Sequence, residues 1–262
     1  MSRLYATLAI ALALPACAAR TPARPAGTPA PDPAAITTFQ EATTACRGFR
    51  SLTAELSLSG RAGGERIRGR VIAGLEAGGH VRLEGVAPFG APIFILAGRA
   101  ETATLLLPRE DRVLKSTPVS AVLERLTGLA LGADDLRLML SGCLADNAAP
   151  AEGRSWPGGW QAVTLAPERV AYLRLHQGRP VVAAADYGPW HLDYSEQLAG
   201  YPRVVRVRRA GDPTTDVTAR VGELEVNTTI NPAAFALDVP DDAEPMTLDE
   251  LRAVAPLVPK EP

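Results

Sequence analysis

The segment after Gly48 alternates apolar and polar residues. In SLTAELSLS (51–59) leucine or alanine occupies every second position, and ERIRGRVIAGL (65–75) and HVRLEGV (80–86) repeat the pattern. Because successive side chains of a strand point to opposite faces, this alternation predicts antiparallel strands with one dry and one solvated face. The pattern recurs in IFILAG, TATLLL, RVLK, WQAVTL, RVAYLRLH, PVVAAADY, WHLDY, RVVRVRR and DVTARVGELEV.

Helical spacing interrupts the strands at a few places. Ile36, Phe39, Cys46 and Phe49 fall on one face of a helix predicted over Ala34–Arg50. A second helix is predicted after Ser116-Thr117-Pro118, with proline at its first position and an end at Gly128. Its apolar stripe consists of Val119, Val122, Leu123 and Leu126.

A third helix is predicted to begin at Asp134 or Asp135 as its cap and to end at Gly142. A short fourth helix is predicted in LDELRAVA near the C-terminus. Many strands with few helices favour a mainly β (α+β) fold, in which helices cover one large curved sheet.

The N-terminal region has the features of a secretory signal. A basic start precedes the apolar run Leu4–Leu14, and LPAC resembles a bacterial lipobox, although Pro15 is less usual there. We therefore expect residues 1–16 to be a signal peptide and Cys17 to carry a lipid. An ordinary signal with a chance cysteine is the alternative. Residues 17–33 are rich in alanine and proline and predict an extended tether, and no later run is long enough to span a bilayer.

Two further cysteines, Cys46 and Cys143, would lie in an oxidising compartment if the protein is exported. There they could form one disulfide. The alternative is that both are small buried apolar residues. Neither belongs to a CxxC pair, so a redox or zinc role is not expected.

Composition and motifs argue against several classes of function. The formal net charge is −2, which leaves no basic field for nucleic acid. The phosphate-loop, dinucleotide, HExxH and GxSxG motifs are absent, and His80, His176 and His191 lie in separate strand patterns. We therefore predict no enzyme activity, no catalytic, cofactor-binding or metal-binding residues, no cofactor, no nucleic-acid partner and a monomer.

Several motifs occur in a recognisable order, VRLEGVAPFG, LERLTGLALGADDLRLMLSG, WHLDY and YPRVVRVRRAGDPTTDVTARVGELEV. With the lipobox, they resemble the LolB family of outer-membrane lipoprotein receptors and, more weakly, the related LolA carriers. The resemblance covers residues 52–227. It implies an unclosed barrel of about eleven antiparallel strands, with helices as a lid over an apolar cavity. The corresponding domain would be residues 34–240, followed by a tail at 241–262.

The resemblance also implies a function. A LolB-like protein faces the periplasm from the outer membrane, receives lipoproteins from a LolA-like carrier and inserts them by holding their acyl chains in the cavity. The alternatives are a protein of this fold that binds another lipid or senses envelope state, and a structural lipoprotein with a filled core. The cavity candidates are Leu56, Val71, Leu83, Val119, Val122, Leu123 and Leu126.

The turn VAPFGAP carries a phenylalanine between prolines and a glycine. The resemblance places Pro88, Phe89 and Gly90 in a loop whose apolar residue, typically leucine in the family, engages the membrane during insertion. The alternative is that Phe89 folds back onto the sheet. The tail after Thr228 departs from the family, so the chain would be a divergent member.

Overall fold

The structure is a computed structural model, and it describes residues 24–87, 89, 92–100, 102–146, 148–254 and 257. The proposed signal peptide and Cys17 lie outside these residues. The strands are β1 (Ala30–Pro31), β2 (Ser51–Ala62), β3 (Glu65–Glu76), β4 (His80–Val86), β5 (Phe94–Arg99), β6 (Thr102–Leu107), β7 (Arg112–Pro118), β8 (Glu152–Trp156), β9 (Trp160–Ala166), β10 (Arg169–His176), β11 (Arg179–Tyr187), β12 (Trp190–Leu198), β13 (Tyr201–Arg209), β14 (Asp212–Val226) and β15 (Glu244–Pro245). The helices are α1 (Ala34–Ala42), α2 (Val119–Thr127), α3 (Ala133–Ser141) and α4 (Leu248–Val254).

All fifteen strands found among the described residues form one sheet, in the order β1-β8-β9-β10-β11-β12-β13-β14-β2-β3-β4-β5-β6-β7-β15. Neighbouring strands are antiparallel except β15 and β7, which are parallel. The predicted mainly β, unclosed sheet is confirmed, with fifteen strands rather than about eleven. The two-residue strands β1 and β15 cover β8 and β7, which would otherwise expose unpaired backbone groups at the sheet edges.

Helices α1, α2 and α3 lie over different parts of the sheet. Helix α1 packs on β8, β9, β10 and β11, α2 on β6 and β7, and α3 on β2, β3, β4 and β13. The inward side chains of the alternating strands meet these helices in one apolar core. None of the described helices combines the length and hydropathy needed to cross a bilayer.

The predicted end of α1 and the predicted start of α2 were wrong. Helix α1 ends at Ala42 rather than Arg50, because Thr43 leaves helical geometry and a 3₁₀ turn follows at Thr44–Cys46. Ser116 to Pro118 belong to β7, so Pro118 precedes α2 as its N-cap instead of forming its first turn. The predicted ends of α2 and α3 are confirmed: Gly128 and Gly142 have φ of 72° and 73°, which glycine adopts without steric cost.

Part of the expected tether is folded onto the domain. Pro31 pairs with β8, and the indole nitrogen of Trp156 donates to the Gly27 carbonyl at 3.1 Å. The guanidinium of Arg24 donates to Asp186 at 2.7 Å and to the Ala185 carbonyl at 2.9 Å. The chain is thus fixed to the sheet from Arg24 onward.

Candidate functional site

An apolar cavity lies between the sheet and the helices α2 and α3. Its volume is about 70 Å³, and Thr127 is the one polar residue among those that line it. Strands β2, β3, β4, β5, β13 and β14 supply one wall, and the two helices with the segment between them supply the other. The lining residues are Leu56, Leu58, Val71, Leu83, Phe94, Leu123, Leu126, Thr127, Leu129, Leu131, Leu136, Met139, Leu140, Val205, Val207, Val217, Ala219 and Leu257.

Most of the predicted cavity residues are in this lining. They are Leu56, Val71, Leu83, Leu123 and Leu126. Val119 and Val122 are buried but lie outside the lining. Helix α2 also packs against β6, β7 and α4, so its apolar stripe serves both the cavity and these contacts.

The cavity-lining residues on α3, β13 and β14 were not predicted from the sequence, although the apolar spacing of these elements was visible. Met139 and Leu140 on α3, and Val205 and Val207 on β13, occupy inward positions of elements that were correctly predicted. No pattern in the sequence singled out Leu257, because it lies beyond the last periodic segment.

One side of the cavity lies where β3 and β4 separate. Their pairing stops at Arg70 and Val86, but β3 continues to Glu65. Here the Arg68 amide donates to the carbonyl oxygen of Leu257 at 3.0 Å, and the Leu257 side chain, 2% exposed, lies over Gly69. A Cβ at Gly69 would approach Leu257 Cδ2 to 2.8 Å. We call this gap, filled by Leu257, the mouth of the cavity.

The loop between β4 and β5 borders the mouth. The Phe89 side chain is 89% exposed, so the alternative in which it folds onto the sheet does not hold. The Phe89 carbonyl accepts a hydrogen bond from Arg109 at 3.1 Å, and Phe94, a few residues later, lines the cavity. Pro88 and Gly90 lie outside the described residues.

Polar contacts fix the N-terminal end of α3. The Tyr187 hydroxyl donates to Asp135 Oδ1 at 2.6 Å and accepts from Arg169 at 2.7 Å. Burial, followed by this hydrogen bond to Asp135, raises the pKa of Tyr187 well above its ordinary value, so the phenol remains a donor. The predicted cap is corrected: Gly132 is the N-cap, and Asp135 accepts its backbone N–H.

A buried arginine ties the same helix to its surroundings. Arg137 is 2% exposed, and its guanidinium contacts Asp134 at 3.0 Å and Asp146 at 3.5 Å. It also lies over the ring of Phe49, 5.2 Å from the ring centre. Asp134 in turn accepts the Gly79 amide from the turn between β3 and β4 at 3.0 Å. Removing either acidic partner would leave a buried charge poorly compensated.

A disulfide fixes the other end of α3. Cys46, in the 3₁₀ turn after α1, is bonded to Cys143, which directly follows the C-cap residue Gly142, with 5.4 Å between the Cα atoms. Helix α3 is therefore held covalently at its C-terminal end and by charged hydrogen bonds at its N-terminal end.

Metal-binding clusters do not occur among the described residues. The three histidines have separate surroundings. His80 packs on Phe235, His191 contacts Asp186 at 2.6 Å, and His176 is the last residue of β10. The described part of the chain therefore brings no set of candidate catalytic groups together at the cavity.

No protein-family model and no curated protein matches this sequence. Solved structures do match, at low similarity. A Vibrio parahaemolyticus domain described as an outer membrane lipoprotein-sorting protein has a TM-score of 0.43 and 12% identity, covering 76% of this chain and 95% of that one. A DUF1329 family protein from Desulfovibrio piger has 0.46 and 14%, covering 79% and 97%. The Mycobacterium tuberculosis lipoprotein LppX has 0.33 and 11%, covering 76% and 98%. Because these similarities are low, the function is inferred from the geometry of this chain.

Proposed function

We propose that this chain is a lipid-anchored envelope protein that binds acyl chains in the cavity under α2 and α3. The observation that carries the proposal is the nearly all-apolar lining, with one polar residue, Thr127. Such a surface offers a hydrocarbon chain a dry environment, worth about 0.8 kcal/mol for each buried CH₂. No covalent chemistry is required for binding or release.

The closed cavity is too small for a whole acyl chain. Its 70 Å³ is less than the roughly 150 Å³ cavity that admits benzene and far below the ~300–1,000 Å³ of ordinary ligand pockets. Binding must therefore move part of the lid. This coupling suits a transfer protein, because a site that closes without cargo also favours release of the cargo.

The resemblance to the LolB family supports a more specific role. In this proposal Cys17 carries the lipid anchor, and the chain faces the periplasm from the outer membrane. It accepts lipoproteins from a LolA-like carrier and delivers them to that membrane. The exposed ring of Phe89, beside the mouth, enters the lipid interface during delivery.

Two neighbouring residues of β3 test the cavity. Val71 lines it, while Ile72 points to the opposite face and is 51% exposed. Val71→Thr replaces a methyl by a hydroxyl with no partner in the dry lining, which costs about 1–3 kcal/mol for the unsatisfied group. We expect the affinity for a dansyl-labelled undecanoic acid to fall roughly fivefold or more, since water that enters the ligand-free space can bond to the hydroxyl, whereas the bound chain displaces that water and leaves the hydroxyl unsatisfied.

The matched control is Ile72→Thr, which makes the same kind of change on the solvated face and should leave binding unchanged. Fluorescence titration of both variants and the wild type gives the comparison. Equal affinity in all three proteins would place the fatty acid elsewhere, and no binding to the wild type would refute the proposed function.

A further inference from the structure

We infer that the C-terminal segment is a displaceable strap and that Leu257 occupies the place that a ligand takes at the mouth of the cavity. The strap is defined as residues 244–254 together with Leu257. The inference rests on the proposed function, since it says how access to that cavity is regulated.

The strap begins at the edge of the sheet. The backbone amides of Glu244 and Met246 donate to the carbonyls of Asp111 and Val113 at 2.7 and 2.8 Å, which adds β15 beside β7. Only two residues of β15 pair with β7. This attachment is short and lies at a sheet edge, where strands separate most readily.

Helix α4 then lies against α2, with Leu251 fully buried. Two ion pairs also hold α4 in place: Arg112 of β7 with Glu250 at 2.8 Å, and Arg125 of α2 with Asp249 at 3.4 Å. The carboxylate partners are 49% and 92% exposed. Ion pairs this open to water contribute little to stability. The strap is thus held mainly by a few apolar side chains.

Leu257 closes the mouth by two different contacts. Its carbonyl oxygen accepts a hydrogen bond from the backbone amide of Arg68, which has no partner in β4. Its side chain forms part of the apolar lining above Gly69. The absence of a side chain at Gly69 provides the space that Leu257 fills. An apolar chain entering between β3 and the β4–β5 loop would meet Leu257 first, so ligand and strap compete for one position.

Competition of this kind lowers the apparent affinity of the ligand. If only a fraction of molecules has the strap open, the apparent Kd equals the intrinsic Kd divided by that fraction. Weakening the strap should therefore tighten binding without adding any contact to the ligand. A residue that merely belonged to the binding wall would have the opposite effect when truncated.

The test uses the full chain with Leu257→Ser. We expect the dansyl-labelled undecanoic acid to bind about tenfold tighter than to the wild type, because the open fraction rises. The control is Leu175→Ser, the same substitution at a residue that is 69% exposed in β10. By strand order, the turn after β10 lies at the end of the barrel opposite to the β4–β5 loop. This control should bind like the wild type.

Amide exchange of Arg68 reports the strap directly. In the wild type, a saturating amount of the probe should accelerate exchange at Arg68, while amides of β3 that pair with β2 stay protected. Binding with equal or weaker affinity to Leu257→Ser, or unchanged Arg68 exchange on binding, would overturn the strap alone. Absence of binding to the wild type would overturn the proposed function and the strap with it, since the strap presupposes a ligand in the cavity.

Discussion

Helices α2 and α3 cover the same cavity but are attached in different ways. Helix α3 is fixed by the Cys46–Cys143 bond, by Asp134 with the Gly79 amide and Asp135 with Tyr187, and by its buried Arg137, which packs on the ring of Phe49. Within the described residues, the one side-chain hydrogen bond from α2 to another element joins Arg125 to Asp249 of the strap. Apolar packing supplies the rest of its attachment.

The difference indicates which part of the lid yields. Removing α3 from the sheet would break a covalent bond or expose buried charges, whereas lifting α2 with α4 costs mainly apolar contacts. A ligand that is itself apolar can replace those contacts. We therefore expect opening on the α2 side, next to the mouth and the Phe89 loop, with α3 as the stationary wall.

The largest effect should come from cutting the covalent attachment of α3. The paired substitution Cys46→Ala with Cys143→Ala opens a loop with a sequence separation of 97 residues. For a loop of this size, chain entropy predicts a loss of about 4–5 kcal/mol in the free energy of unfolding, before any relaxation. Urea denaturation of both proteins measures it.

Reduction of the wild-type disulfide should lower the free energy of unfolding by the same amount. This control separates the effect of the cross-link from the effect of replacing the two cysteine side chains. If α3 is the stationary wall, the folded double variant should also show faster amide exchange in α3 and no change in α2. An unfolding free energy within about 1 kcal/mol of the wild type would show that α3 does not depend on the bond.

A smaller effect is expected for Phe89→Glu, in the loop on the α2 side of the cavity where we expect opening. The exposed ring contributes little to folding, so the free energy of unfolding should change by less than about 0.5 kcal/mol. Losing its burial in lipid, worth about 1.5–3 kcal/mol, should weaken vesicle association roughly tenfold or more. Flotation with vesicles of phosphatidylethanolamine and phosphatidylglycerol measures this.

Leu198→Glu is the matched control, since Leu198 is also exposed but lies at the other end of the barrel. It should leave vesicle association intact. A substantially destabilised Phe89→Glu protein would mean that the ring belongs to the core. An equal loss of vesicle association in both variants would mean that membrane contact is not specific to the end of the barrel that carries Phe89.

The smallest expected effect is a weakening of the closed strap at acidic pH. The hydrogen bond from Arg112, followed by those from Thr247, lowers the pKa of Glu250 to about 2. Because the folded-state pKa is below the ordinary value of 4.5, the carboxylate stabilises the closed strap above that value. This contribution disappears as the pH falls from about 4.5 towards 2. Affinity for the neutral probe 1-N-phenylnaphthylamine should therefore rise modestly in this range.

Glu250→Gln removes the titrating group and is the control for that experiment. Its affinity should exceed that of the wild type at pH 7 and vary less between pH 4.5 and pH 2. An identical pH profile for the two proteins would assign the change to other carboxyl groups.

Periodicity located most of the fold because most strands have one dry face. The three strands that were not predicted, β1, β8 and β15, lack that signal. Strand β8 reads EGRSW, with one buried residue, and the other two have two residues each. Their positions depend on which edges of the sheet remain open, which is a property of the assembled sheet.

The cavity wall was predicted better than its closure. Val71 and Leu83 follow from alternation, and Leu123 and Leu126 from helical spacing. Leu257 could not be found in this way, because its contacts depend on where β4 leaves β3 and on the space above Gly69. The pairing of Cys46 with Cys143 likewise depends on α1 stopping early, which places Cys46 in a turn beside the end of α3.

The contacts of Arg24 set a geometric limit on how far the domain can travel. Cys17 precedes Arg24 by seven residues, and an extended chain spans at most ~3.6 Å per residue, so a lipid on Cys17 would hold this point within roughly 25 Å of the bilayer. The attachment point is on β11, next to Asp186 and the Ala185 carbonyl. The domain would therefore pivot about one fixed spot on its wall, and a carrier would have to approach from the sides that this short radius leaves accessible.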